Sequence, residues 1–116
     1  MPGRQMPGEP YYRISVEEAH ELQRQGGLVV DVRRPDEWAA GHVEGAVHIP
    51  VDDVLARAER ELPKDKDLLF ICAAGVRSGL AAEMVAALGY DPKHLYNVEQ
   101  GTPVWIQRKL PTARGK

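Results

Sequence analysis

The sequence predicts an α/β domain with a mostly parallel sheet and helices on both faces. Three observations carry that prediction. Strand-like segments rich in β-branched and aliphatic residues alternate with segments whose apolar residues recur at helical spacing. Repeated β–α alternation is how parallel strands joined by helical crossovers are written in sequence. Finally, Leu68-Leu69-Phe70-Ile71 is apolar throughout, as befits a strand covered on both faces. At 116 residues the chain is one domain long. A domain of this size buries about two-thirds of its unfolded surface and needs no covalent staple.

In order along the chain, Tyr11-Tyr12-Arg13-Ile14 reads as a short strand. Ser15 then starts a helix, with Glu18 three residues on to complete a capping box. Ala19 and Leu22 share one face of it, and Gly26-Gly27 can end it in a left-handed turn. Leu28-Val29-Val30-Asp31-Val32 is a buried strand by composition. Pro35 suits a first helical turn, Asp36 and Glu37 suit its positive end, and Gly41 closes it. Ala46-Val47-His48-Ile49 is a brief strand stopped by Pro50. Asp52 or Asp53 is expected to cap the next helix, with Val54, Leu55, Ala58 and Leu62 on its apolar face and Pro63 as its stop. The polar turn Lys64-Asp65-Lys66-Asp67 leads into Leu68–Ile71. Leu80, Met84, Val85 and Leu88 mark the face of a further helix that Gly89 ends. Leu95-Tyr96-Asn97-Val98 is the last strand, and Thr102-Pro103 opens a final helix running to about Lys109.

Fifteen basic and seventeen acidic residues give a net charge of -2. That balance does not suggest a nucleic-acid or membrane-surface binder. No apolar run approaches the ~20 residues of a membrane span. MPGRQMPGEP has no apolar core of a secretory signal, so the expected address is cytoplasmic. The basic run Arg108–Lys116 reads as a solvated end. With one cysteine there can be no internal disulfide and no zinc site built on several cysteines. His20, His42, His48 and His94 lack close ligand spacing and read as structural or surface residues.

Chemistry concentrates in Cys72-Ala73-Ala74-Gly75-Val76-Arg77-Ser78. The segment follows the most apolar strand and precedes a helix, so Cys72 falls at the carboxyl end of a central strand, where such sheets place their reactive groups. Its small residues and one glycine let the backbone curl with the N–H groups of Ala73 to Ser78 inward. The helix N-terminus and Arg77 add positive potential. Such surroundings lower a thiol pKa from its ordinary value of about 8.5 and favour the nucleophilic thiolate. The competing reading is a small core hydrophobe, since free cysteine is often buried.

Four stretches together resemble the single-domain rhodaneses, a family of sulfurtransferases. Asp31-Val32-Arg33 with Pro35, Glu37 and Trp38 resembles the family's Asp-Val-Arg-x-Pro-x-Glu-(Phe/Trp) pattern. Gly41-His42-Val43-Glu44-Gly45-Ala46-Val47-His48-Ile49-Pro50 resembles a second, and Cys72 through Ser78 resembles the Cys-x-x-Gly-x-Arg-Ser active loop. Leu88-Gly89-Tyr90, Asn97 through Gly101, Trp105 and Leu110-Pro111 resemble the closing pattern. The resemblance spans residues 11–111, leaving 1–10 as a disordered lead and 112–116 as a flexible tail. It implies a rhodanese-like fold with a five-stranded parallel sheet. It implies a sulfurtransferase in which Cys72 takes the outer sulfur of a donor such as thiosulfate as a persulfide. A thiophilic acceptor, cyanide in the usual assay, then removes it. It implies substrate contacts from Ala73, Ala74, Gly75, Val76, Arg77 and Ser78, with Arg77 adding charge for an anionic donor, and no metal or organic cofactor. Asp31, Arg33 and Glu37 read as architectural charges near a strand end, with donor binding by Arg33 as the alternative. The family often has two glycines after the last strand. Here Glu99-Gln100-Gly101 keeps one, and Gln100 is expected to narrow or polarise the pocket mouth.

Other functions stay open at this point. One is a sulfur-relay module, serving a partner protein, or a redox-sensing module, neither turning over thiosulfate. Another is a cysteine-dependent phosphatase or arsenate reductase. Those enzymes place one more residue between Cys and Arg than the four seen here, and the tighter ring suits a single sulfur atom.

Overall fold

The computed structural model describes residues 3–115. In chain order the strands are β1 (Tyr12–Ile14), β2 (Leu28–Asp31), β3 (His42–Val43), β4 (Val47–His48), β5 (Leu68–Ile71), β6 (Leu95–Val98) and β7 (Thr112–Ala113). The helices are α1 (Val16–Arg24), α2 (Pro35–Ala40), α3 (Val54–Glu61), α4 (Val76–Ala87) and α5 (Gly101–Gln107). Five strands form one parallel sheet in the order β1-β6-β5-β2-β4, so β5 lies in the middle. Among the described residues no helix is long and apolar enough to cross a membrane.

Alternation along β5 explains its apolar run. Leu68 and Phe70 point into one core with Val54 and Ala58 of α3 and Ala81, Ala82 and Val85 of α4. Leu69 and Ile71 point into the other with Val16, Ala19 and Leu22 of α1 and Trp105 of α5. Each face of the sheet is covered by helices, which requires both side-chain sets of the middle strand to be apolar. The start of α1 follows its sequence closely. Ser15 Oγ accepts from the Glu18 N–H, and a Glu18 carboxylate oxygen accepts from the Ser15 N–H.

Several elements depart from the sequence expectations. The buried face of α4 is Ser78, Gly79, Ala81, Ala82 and Val85, whereas Leu80, expected inside, is 45% exposed. Small residues let this helix lie close to β5 and β6 and keep its N-terminus beside the strand end. Neither Asp52 nor Asp53 caps α3. A single 3₁₀ turn, Val51–Asp53, leads into it, and the Asp53 N–H is satisfied by the Pro50 carbonyl at 2.8 Å. Leu55 is consequently turned outward. The two-residue strands β3 and β7 pair antiparallel and are too short to carry a periodic signal.

Residues 1–10 and 112–116 read in the sequence as a disordered lead and a flexible tail. In the structure Arg4 and Arg13 exchange backbone hydrogen bonds, and Gly3 N–H donates to Glu18. Thr112–Ala113 is the β7 partner of β3. Met1, Pro2 and Lys116 of those two segments lie outside the described residues.

The reciprocal cap on α1 leads to a stability prediction. Ser15→Ala should lower unfolding free energy by about 1 kcal/mol, and Ser15→Thr should recover most of it. Urea denaturation monitored by tryptophan fluorescence measures both.

Candidate active site

β5 ends at Ile71, so Cys72 sits at the carboxyl end of the middle strand, and α4 begins four residues later. The connecting loop is gripped on two sides by backbone. Gly75 caps α4 at φ +90, and a Cβ there would lie 2.8 Å from the Glu99 carbonyl oxygen. Gly101, at φ +83, approaches so closely that a Cβ would lie 2.1 Å from the Ala73 carbonyl oxygen. The Thr102 N–H then donates to the Cys72 carbonyl at 2.8 Å. Both positions need left-handed backbone and have no room for a side chain. The one glycine kept after β6 is therefore the one the loop requires.

The sulfur is held from the loop side. The Gly75 N–H donates to Cys72 Sγ at 3.1 Å, and Ser78 Oγ lies 3.2 Å from Sγ. Ser78 in turn donates to Asn97 Oδ1 at 2.6 Å, and Asn97 Nδ2 donates to the Gly75 carbonyl at 3.0 Å. A hydroxyl carries one proton. While Ser78 gives it to Asn97, the thiol must be the donor to Ser78. On ionisation the Ser78 hydroxyl can turn its proton to the sulfur instead.

Burial pushes the Cys72 thiol up. The Ser78 hydroxyl and the amides of Ser78, Ala74 and Gly75 pull it down, and the net result is a lowered pKa. Cys72 is also 1% exposed and joins the core beneath α4. Burial alone does not separate a reactive cysteine from a structural one; the hydrogen bonds aimed at its sulfur do.

Of the other expected contacts, Ala74 and Val76 form the exposed crown of the loop, with Ala73 and Gly75 partly covered. Arg77 is turned to α2. Its guanidinium forks onto both carboxylate oxygens of Glu37 at 2.7 and 3.0 Å. The Arg77 fork holds the Glu37 pKa down at about 2, against the opposing effect of burial. Arg33 forks onto Asp31, its Nη2 2.8 Å from Asp31 Oδ2, and donates to the Gly41 carbonyl at 2.7 Å. At 6% exposure it ties the end of β2 to the turn before β3. Gln100 does not polarise a pocket mouth: its Oε1 accepts from the Val16 N–H at 2.9 Å, which ties the loop after β6 to α1. His42 and His48 stack on Trp38 and place ring nitrogens against the carbonyls of Trp38 and Arg33.

Sequence reasoning left Asn97 without a role of its own. The available signal was one polar residue inside the four-residue strand Leu95–Val98, every member of which is buried. A buried amide needs partners, and here they are the loop carbonyl and the serine beside the sulfur. Among the described residues no group of three or more His, Cys, Asp or Glu side chains converges as a metal site.

A family model described as a rhodanese-like domain matches residues 15–108. The chain is 34% identical over 98 residues to the thiosulfate sulfurtransferase GlpE of Pseudomonas entomophila (strain L48), covering 82% of this chain and 84% of that one. The structure is similar to a rhodanese-related protein from Thermoplasma volcanium, with a TM-score of 0.76 at 31% identity, over 89% of this chain and 98% of that one. It is also similar to a rhodanese-like domain protein from Staphylococcus aureus, with a TM-score of 0.71 at 30% identity, over 80% and 89% of the two chains.

Two outcomes are expected from this geometry. Ser78→Ala should raise the Cys72 pKa, since the hydroxyl is the strongest influence lowering it; thiolate absorbance followed through a pH titration reports the shift. The Glu37–Arg77 pair should stabilise the fold above the ordinary carboxylate value of 4.5 and lose that contribution as pH falls towards 2. The sign follows because the unfolded chain takes up the Glu37 proton first. Denaturant midpoints of wild type and Arg77→Ala should differ at pH 6 and converge on acidification.

Proposed function

The chain belongs to the rhodanese-like domain family, and on that footing we propose that it is a sulfurtransferase carrying sulfane sulfur on Cys72. The Cys72 thiolate attacks the outer sulfur of a donor such as thiosulfate. The donor's S–S bond breaks, sulfite leaves with its electron pair, and Cys72 becomes a persulfide. A thiophilic acceptor then attacks the terminal sulfur. With cyanide, thiocyanate departs and the thiolate returns. Charge is conserved in both steps, and no electron is supplied from outside.

The observation that carries this reading is the convergence of the Gly75 N–H and the Ser78 hydroxyl on Cys72 Sγ. These donors favour negative sulfur, both the attacking thiolate and the persulfide that replaces it. The first turn of α4 adds its positive end. Ala73, Ala74, Gly75, Val76 and Ser78 form the ring through which the transferred sulfur enters. With Cys72 so nearly covered, a donor presents its terminal sulfur end-on. The four residues between Cys72 and Arg77 close around one such atom more readily than around a tetrahedral phosphate.

Intact mass spectrometry tests the reading without assuming an acceptor. Incubation with thiosulfate, or with the persulfide of a small thiol, should add one sulfur atom to wild type and none to Cys72→Ser. Cyanide should restore the original mass and release an equivalent of thiocyanate. Failure of both donors to add sulfur to the wild-type protein overturns the proposal.

A further inference from the structure

Around the reactive loop, each arginine that lines a neighbouring cavity faces a carboxylate. A cavity of about 370 Å³ on one side includes Arg13, Glu83 and Glu99 in its wall, and Arg13 is forked by Glu9. A cavity of about 250 Å³ on the other side includes Arg34, Asp52 and Arg77. Arg34 is held by Asp36 at 3.1 Å, and Arg77 by both oxygens of Glu37. The loop crown, Ala74 and Val76, lines the first of these cavities, and Val76 is 79% exposed. The cation that the sequence offers to a substrate is thus already paired, and the exposed side chains of the loop itself, Ala74 and Val76, carry no charge.

Glu37 is built to stay in that role. It lies in the first turn of α2, where a negative charge is favoured, and its Oε1 also accepts from the Arg34 N–H at 3.0 Å. Its side chain is 20% exposed and that of Arg77 29%, so solvent screens the pair only in part. A dianion brought to this loop leaves water without an unspent cation to replace it, which is costly. The persulfide of an uncharged thiol carries at most one charge, on the terminal sulfur that the loop donors receive, and brings no second charge to be desolvated.

We propose that Glu37 is the specificity-determining residue for donor charge: by occupying Arg77 it disfavours dianionic donors such as thiosulfate and favours persulfides of uncharged organic thiols. The inference rests on the sulfurtransferase reading and names the donor class of the same site. In the favoured half-reaction the Cys72 thiolate attacks the terminal sulfur of R–S–SH. The S–S bond breaks, R–S⁻ leaves, and Cys72 retains the S–SH group.

The experiment compares kcat/KM for thiosulfate and for hydroxyethyl persulfide, with cyanide as acceptor. Wild type should prefer the persulfide, and its thiosulfate kcat/KM should not fall as salt is raised. Glu37→Gln keeps the size and a hydrogen-bonding oxygen but frees the Arg77 charge. It should shift the donor ratio towards thiosulfate by roughly tenfold, mainly through a lower KM, and the gain should shrink with salt. Asp36→Asn removes the same formal charge from an exposed carboxylate that holds Arg34 (71% exposed,) and should move the ratio by less than about twofold. Equal loss with both donors in Glu37→Gln, or an equal ratio shift in Asp36→Asn, overturns the proposal. If Glu37→Gln does not fold, wild type still decides: preference for thiosulfate, or a steep fall of its kcat/KM with salt, overturns it. Wild type that accepts sulfur from neither donor overturns the underlying reading as well, whereas sulfur transfer with an unmoved ratio overturns only this inference.

Discussion

The hydrogen bonds between the active loop and the Cys72 sulfur depend on a backbone packing constraint rather than on any one donor. The Gly75 amide can point at Sγ only because its own carbonyl is fixed by Asn97 and its Cα lies against the Glu99 backbone. On the far side, Gly101 touches the Ala73 carbonyl and Thr102 holds the Cys72 carbonyl. The segment between β6 and α5 is therefore the wall against which the curled loop is pressed. A thiol buried at a strand end would ordinarily resist ionisation. Here the donors outweigh burial: the loop amide already faces the sulfur, and only the Ser78 proton has to turn when the sulfur becomes negative.

The same geometry links the sheet to the site. β5 is buried along its length and paired with a strand on each edge, and Cys72 follows directly from its end. β6, its neighbour, contributes Asn97, and β2, on the other side, contributes Asp31 and the chain that leads to Glu37. Close approach of α4 completes the arrangement. The first half of its inner face is Ser78, Gly79, Ala81 and Ala82, which brings Ser78 to the sulfur.

Charge is handled in pairs around this centre. Arg33 with Asp31 and Arg77 with Glu37 are both bidentate; the first, with Gly41, ties the end of β2 to the turn before β3, and the second ties the start of α4 to α2. Such forks fix orientation as well as charge. The potential felt by an incoming molecule is accordingly set by amides and a hydroxyl close to the sulfur, with little net charge farther out.

Much of this was legible in the residues. The apolar run Leu68–Ile71, the Ser15–Glu18 capping box and the β–α alternation specify their elements locally, because propensity, capping and periodicity act over a few residues. The position of Cys72 at a strand end before a helix follows from the same local pattern, and so does the curl that Gly75 permits. Other features depended on contacts between distant segments. Nothing near Arg77 in the chain shows that Glu37, on another helix, takes its charge. Gln100 reads as a pocket residue until α1 is seen beside it, and Leu80 reads as core until α4 is seen pressed against the sheet by its smaller residues. The sequence by itself determined which atoms could carry the chemistry and where along the strands they fall; tertiary structure alone decided which charges are spent on one another, because ion pairing and close packing depend on separation in space.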